Sequence, residues 1–589
     1  MPGSVATRAF DNARGGVQYE EDKLTPAEVR QNGVSRLFRL ALHGDARGME
    51  AQPLVAAKVP KPGGGVRDLL LCATMANDVH AFDMVALGGP PAWVSHLGTP
   101  VKGLKAIDDH EINDNWGILS TPVVDDERKR LYCVAWVSPD RSVAKGDHFV
   151  FAIDLRDGSR AGEPILLDKA AYVPGDGLPT QRFVSVARKQ RAALLLATVK
   201  GRRTLFVPAG SVVENAGTNR GWLIAVDVED WKIAAAWTST VKGSGGGIWQ
   251  AGAGPAADDE GFVYLMTGNG SFAPPHDLSE SIVKLRYTPA AGAGQARIEA
   301  VDWFTPFTDA ERAGHRDDDD AHAAVDHHEV PVPTNHRPHD HNDVDQMWGD
   351  MDLSSGGPVL IQASKTVIGA GKDGIAYSLK TDAMGKTSLA DLGHGNKNYK
   401  ACRWIGFFTH FPGFGVRPDP DNIRELNVLF GGKMRHQHSS PLTWDSPDFG
   451  RVVANWGENG NLRLWRVDGQ GRLEYLACSE EVASPESGGL GGMPGGFMCA
   501  SLRRGAKNTT VIWASVPYKN ANTEITNGRF LAYDGSVLGR FPDGSGRLLK
   551  LWDSQDWNQQ YIYNKFNVPV VWGGRVFLPA YDGSLLVFG

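Results

Sequence analysis

Two histidines one residue apart, His436 and His438, stand in the run Lys433-Met-Arg-His-Gln-His-Ser-Ser-Pro-Leu442. If this run is a strand, side chains at i and i+2 point to one face, so the imidazoles would sit together and could chelate a borderline metal such as zinc, copper or iron. His339 and His341 repeat the spacing, and Glu458, two residues after Trp456, adds a candidate general base or further ligand. Asp350 and Asp352 flank Met351; on a strand they would share a face, and in a loop they would cap backbone amides. Asn269 between two glycines suits a tight turn, and Lys372 in Gly371-Lys-Asp-Gly374 suits a hairpin. The same residue types also line wet channels or close loops, so both readings stay open. No nucleophile elbow, phosphate loop or dinucleotide fingerprint stands at a convincing position.

The elements available to position these residues come as a repeat. An apolar strand ends in Asp or a turn, and a second strand carrying Trp or Phe follows. Val79-His-Ala-Phe-Asp83 leads to Trp93, Val150-Phe-Ala-Ile-Asp154 to Asp157-Gly158, and Trp222-Leu-Ile-Ala-Val-Asp227 to Trp237. Looser copies are Ile282–Leu285 with Trp303, Ile375–Leu379, Leu462–Trp465, and Phe530–Asp534 with Trp552. The chain stops at Asp582-Gly-Ser-Leu-Leu-Val-Phe588. Period-two alternation closed by Gly, Asp or Pro is the mark of antiparallel strands, and helical periodicity is almost absent. The copies predict an all-β protein, an eight-bladed β-propeller whose radial sheets leave few open edges.

The last copy lacks an outer strand. Arg36-Leu-Phe-Arg-Leu-Ala-Leu42 has the length and alternation to supply it, which predicts closure by both ends of the chain. The expected layout is an N-terminal extension over 1–35 lying on the surface, with a short helix from Thr25 to Asn32 started by Thr-Pro-Ala-Glu, then a propeller over 36–589. A His- and Asp-rich segment at 315–345, without apolar periodicity, reads as a long inserted loop.

Composition bounds the rest. With 42% hydrophobic and 9% aromatic residues over 589 positions, the chain can fill a large core. A net charge of −7 on so long a chain argues against nucleic acid as a partner. No apolar run is long enough for a membrane span, and no export signal is visible; the sequence as it stands predicts a cytoplasmic protein, or a periplasmic or secreted one if a leader has been removed. Cys72, Cys133, Cys402, Cys478 and Cys499 are scattered, with no pairing or haem motif, and read as buried thiols.

Ala81-Phe-Asp83 with Trp93, Gly117-Ile-Leu-Ser-Thr-Pro122, Gly246-Gly-Ile-Trp249, Thr267-Gly-Asn-Gly270, Asp350-Met-Asp352, Gly371-Lys-Asp-Gly374 and Pro579-Ala-Tyr-Asp-Gly583 together resemble the quinoprotein alcohol dehydrogenase-like superfamily, over about residues 36–589. The resemblance implies an eight-bladed propeller with pyrroloquinoline quinone (PQQ) and Ca2+ on its axis. It implies Trp249 under the quinone ring, Lys372 at the quinone oxygens, Asn269 as a metal ligand, and Asp350 or Asp352 as the base that takes the alcohol proton. Two departures stand out. The adjacent cysteine pair of several such dehydrogenases is missing, and Glu214, in the place of the glutamate metal ligand, precedes Arg220-Gly221 by a longer interval. Gly117-Ile-Leu-Ser-Thr-Pro122, Arg435-His-Gln-His-Ser-Ser-Pro441, Trp456-Gly-Glu-Asn459 and Gly492-Met-Pro-Gly-Gly496 are similar to a distinct branch of the superfamily.

Three functions follow as expectations: an oxidoreductase of the quinoprotein type acting on an alcohol or other small hydroxylated molecule, with an electron acceptor the sequence does not name; a cofactor-free propeller acting as a binding platform; and an enzyme with a His-ligated transition metal in the same channel.

Overall fold

The computed structural model describes residues 2–42, 47–103, 113–212, 219–291, 294–305, 352–372, 375–386, 402–406, 436–469, 471, 473–487 and 492–589. The fold is an all-β propeller built from successive four-stranded antiparallel meanders. The first runs Leu54–Pro60, Val66–Ala73, Asp78–Asp83, Trp93–His96, and the second Val123–Asp125, Arg130–Val137, Asp147–Asp154, Ile165–Leu166. The third is Leu195–Val199, Arg202–Ser211, Trp222–Asp227, Lys232–Thr238, and the fourth Ala256–Ala257, Phe262–Met266, Ile282–Thr288, Arg297–Phe304. The fifth is Val359–Ile361, Thr366–Ala370, Ile375–Lys380, Cys402–Gly406. The sixth is Leu442–Ser446, Gly450–Asn455, Asn461–Val467, Leu473–Val482, and the seventh Phe497–Ser501, Val511–Pro517, Asn527–Arg540, Gly546–Asp553, joined at a Cys478–Arg547 bridge.

The sequence repeat is the third strand, its turn and the fourth strand. Asp83, Asp154 and Asp227 end third strands and turn their carboxylates back, Asp83 accepting from the Val85 N–H, Asp154 from Arg156 and Asp227 from Glu229 and Asp230. That is the turn-forming habit of Asp, and it explains why the residue recurs. Trp93, Trp237, Trp303 and Trp552 lie on the fourth strands.

Both faces of each sheet are covered, so the strands are apolar on both sides rather than on alternate positions alone. One cluster joins the second and third meanders through Tyr132, Val150, Leu205 and Trp222, and the next joins the third and fourth through Phe206, Leu223, Val263 and Val283. The series continues from fourth to seventh and then to the last sheet through Trp513, Val576 and Phe588. The final cluster packs Phe577 and Leu585 of that last sheet against Leu70 and Val79 of the first meander and Leu131 of the second. Each such buried side chain contributes about 1.5–3 kcal/mol, so the packing between sheets is a main source of stability.

The last sheet holds Val570–Val571, Val576–Ala580 and Ser584–Phe588, and its fourth strand is Arg36–Ala41, in register from Arg36 opposite Phe588 to Ala41 opposite Ser584. The predicted helix forms at Pro26–Asn32, capped by Thr25, whose hydroxyl accepts from the Glu28 N–H. The first residues do not lie on the surface as expected. Val5, Arg8, Arg14 and Val17 are buried.

The reason is that innermost strands present unpaired backbone groups, and the N-terminal segment pairs them one sheet after another. Val5 pairs with Val55, and the Ala6 carbonyl accepts from Val124 N–H. Asn12 donates to the Leu196 carbonyl and accepts from Ala257, Ala13 accepts from Leu360, Gly15 from Thr443 and Gly16 from Ala500. Gln18 donates to the Val571 carbonyl. Rising positions in the segment meet the meanders in chain order, so residues 5–18 make one circuit along the inner strands. Arg14 pins the circuit, donating to Thr7 Oγ1 and to the carbonyls of Arg8, Leu194 and Pro255.

Among the described residues no helix is long and apolar enough to cross a membrane. Cys72, Cys133, Cys478 and Cys499 are free, buried thiols, as expected, and the side chain of Cys402 lies outside the described residues. The His- and Asp-rich segment 315–345 lies outside the described residues.

Candidate functional site

A four-stranded meander that starts at its inner strand brings its second-to-third turn and its exit to the end where it began. The lead into each inner strand and the turn between strands two and three therefore gather at one end of the molecule. Trp249 lies on the lead into the fourth meander and Asn269 in its second turn; Asp352 and Lys372 hold the same places in the fifth, and His436, His438 and Glu458 in the sixth. This topology, more than any local motif, brings Trp249, Asn269, Asp352, Lys372, His436, His438 and Glu458 to one end.

Asp352 is the hub of the first group. The buried carboxylate accepts from the Asn269 backbone N–H through Oδ1 at 3.0 Å and from the Lys372 ammonium through Oδ2 at 3.0 Å. The approach requires glycine before Asn269, because a Cβ on Gly268 would stand 2.0 Å from Asp352 Oδ1. Asp352 is not on a strand; it precedes a short 3-10 turn, Leu353–Ser355, and Leu353 N–H donates to the buried Glu280. Lys372 is buried rather than at an exposed hairpin tip. The Asn269 side chain is buried too, and among the described residues neither its oxygen nor its nitrogen has a hydrogen-bond partner. Leaving such groups unsatisfied costs about 1–3 kcal/mol each, so a ligand or water is the ordinary reason to find them.

Trp249 is half-buried and lies on glycine backbone: a Cβ on Gly210 would come 2.8 Å from the ring, and one on Gly247 2.6 Å from its Nε1. The Lys189 ammonium sits 3.8 Å from the Trp116 ring centroid and 5.9 Å from that of Trp249. The Arg191 guanidinium lies 4.7 Å from the Phe566 centroid and pairs with the buried Glu50 at 3.1 Å. This end therefore offers aromatic faces beside cations, of which Arg191 is already paired with a carboxylate.

The second group follows directly. Gln437 N–H donates to the Gly371 carbonyl, and the Gln437 carbonyl accepts from Ser355 Oγ at 2.6 Å, which ties the histidine run to the Asp352 and Lys372 loops. His436 and His438 are not on a strand, since the strand starts at Leu442, yet a donor atom of each ring lies within 4.8 Å of a Glu458 carboxylate oxygen. His438 Nε2 lies 2.8 Å from Glu458 Oε1, and all three residues are buried. Burial pushes the Glu458 carboxyl up, but the bond from His438, the nearby histidine charges and the Gly492 N–H bring it below its ordinary value.

Of the expected site residues, Trp249, Asn269, Asp352, Lys372, His436 and His438 thus gather at one end; Asp350 and Glu214 lie outside the described residues. Glu280 and Gln250 were not legible. Gln250 is fully buried, with no partner for its amide among the described residues, and it and Ala251 follow Trp249 with φ of 50° and 38°, a left-handed pair that costs energy in non-glycine residues. Neither position carries a sequence signal.

No family model matches the chain, and no curated protein matches it. Among solved structures it is similar to a europium-containing methanol dehydrogenase, at 12% identity and a TM-score of 0.48 over 100% of this chain and 98% of that one. It is similar to BamB from Moraxella catarrhalis at 10% identity and a TM-score of 0.41, over 94% and 97% of the chains. The WD40 propeller domain of Doa1 follows at 8% and 0.30, over 94% and 97%. At these identities and scores none of them bears on what this chain binds.

Proposed function

We propose that the chain is an eight-bladed propeller over 36–589, closed by Arg36–Ala41 against Ser584–Phe588, that oxidises a small hydroxylated molecule at the end where these loops meet. Trp249 would offer its face to PQQ, Lys372 its charge to the quinone oxygens, and Asn269 with Glu214 oxygen ligands to Ca2+. Bound PQQ would supply the two-electron acceptor. Asp350 or Asp352 would take the alcohol proton. The observation that carries the reading is the buried Asn269 amide, unpartnered on both atoms among the described residues and one residue from the glycine that admits Asp352. The side chain chemistry fits a hard cation.

One observation favours a cofactor-free platform instead. Asp352 is already held by Lys372 and the Asn269 N–H, which is what a latch between two meanders would do. Thermal unfolding with and without PQQ plus Ca2+ separates the two. A ligand at a hundredfold its Kd adds about 2.7 kcal/mol. Asn269→Ala breaks no side-chain hydrogen bond to any of the described residues, so it should keep the unliganded melting temperature and lose the ligand-induced rise. Absence of any rise in the parent protein rejects the quinone reading.

A further inference from the structure

We propose that His436, His438 and Glu458 form a separate binding site for a borderline divalent transition-metal ion of the Zn2+ type. Their donor atoms all lie within 4.8 Å of one another, on side chains from the lead and the second turn of the sixth meander. The rings stand 6.1 Å apart at 59°, so they approach the carboxylate from different directions instead of stacking.

The donors are fixed before any ion arrives. The Glu458 N–H donates to the His436 carbonyl at 3.0 Å, which locks the turn onto the histidine run. Gly492 N–H donates to Glu458 Oε2 at 3.1 Å, which leaves Oε1, the oxygen facing His438, as the monodentate ligand. Between the histidines the Gln437 side chain goes elsewhere, against Gly457, where a Cβ would stand 1.8 Å from Gln437 Nε2. A glycine at that point lets Gln437 pack there while the histidines meet Glu458. Two imidazoles and one carboxylate form the donor set of zinc sites with an open position and of the facial triads that hold ferrous iron. Calcium is disfavoured, since it takes six to eight oxygens. Burial of all three residues keeps competing water low, and their link through Gln437 to Gly371 and Ser355 puts the ion beside the Asp352 and Lys372 loops.

The inference does not rest on the quinone reading. Full-length protein purified without an affinity tag, stripped with chelator and titrated with Co2+ alone, should show visible d–d bands that saturate near one equivalent, and Zn2+ should abolish them. Glu458→Gln keeps the shape and an oxygen for the Gly492 N–H while removing the ligand charge; it should weaken Co2+ binding at least tenfold. His436→Gln with His438→Gln should remove the bands, and Asn269→Ala should leave them unchanged. Wild-type protein without saturable bands overturns the proposal whatever the variants do. So do bands that survive the double substitution, which would place the ion elsewhere, as on the histidines of 315–345.

Discussion

Replacing His148 with Phe tests how the core treats charge. His148 lies in the third strand of the second meander, its ring 4.8 Å from Trp136 and stacked at 14°, with Phe183 edge-on at 6.2 Å. Burial, with the charge of Arg188 adding to it, pulls its pKa down to about 3. An unfolded histidine titrates near about 6.5, so on acidification the unfolded chain takes up this proton first. Stability from the neutral imidazole is therefore complete above about pH 6.5 and is lost as pH falls toward the folded value, at ~1.4 kcal/mol per unit. By about pH 4.5 the loss is ~2.7 kcal/mol. His148→Phe keeps the aromatic stack and removes the titration, while the carboxylates elsewhere titrate alike in both proteins and cancel. Equilibrium urea unfolding of parent and variant at about pH 7 and about pH 4.5 should show the variant losing ~2.7 kcal/mol less. Parallel losses, within about 0.5 kcal/mol, would refute the view that this ring is held neutral.

Two further outcomes follow from the geometry. Arg14→Lys keeps the charge but presents it as a point that cannot reach Thr7, Arg8, Leu194 and Pro255 together, so unfolding free energy should fall by about 2–4 kcal/mol; a variant as stable as the parent would mean that the N-terminal circuit is not pinned there. Gly268→Ala puts a methyl 2.0 Å from Asp352 Oδ1, and should cost about 1–3 kcal/mol and abolish any PQQ-induced thermal shift; a fully stable variant that still responds to PQQ would remove Asp352 from the site.

The repeat was legible because its causes are local. Asp83, Asp154 and Asp227 bond their own turns, and Trp93, Trp237 and Trp552 fill positions that each sheet must cover, so type and spacing carry the signal. The site was legible in residue type and not in pairing. Nothing near Lys372 names Asp352 as its partner, and Glu458 stood as a candidate ligand by type alone, with nothing in the histidine run to say that it bonds His438; propeller topology makes those contacts. The N-terminal circuit was read as a surface lead because its residues show no period: Ala6, Asn12, Ala13, Gly15 and Gly16 each answer a different sheet. A signal for it did exist at another level. Every inner strand needs acceptors for the N–H groups of its free edge, the one turned away from its own sheet, and a series of such strands leaves them either to water or to a segment that visits each in turn. Small residues and a buried Arg14 at the head of the chain fit the second solution, since small side chains let backbone approach backbone and a guanidinium can bond several carbonyls at once.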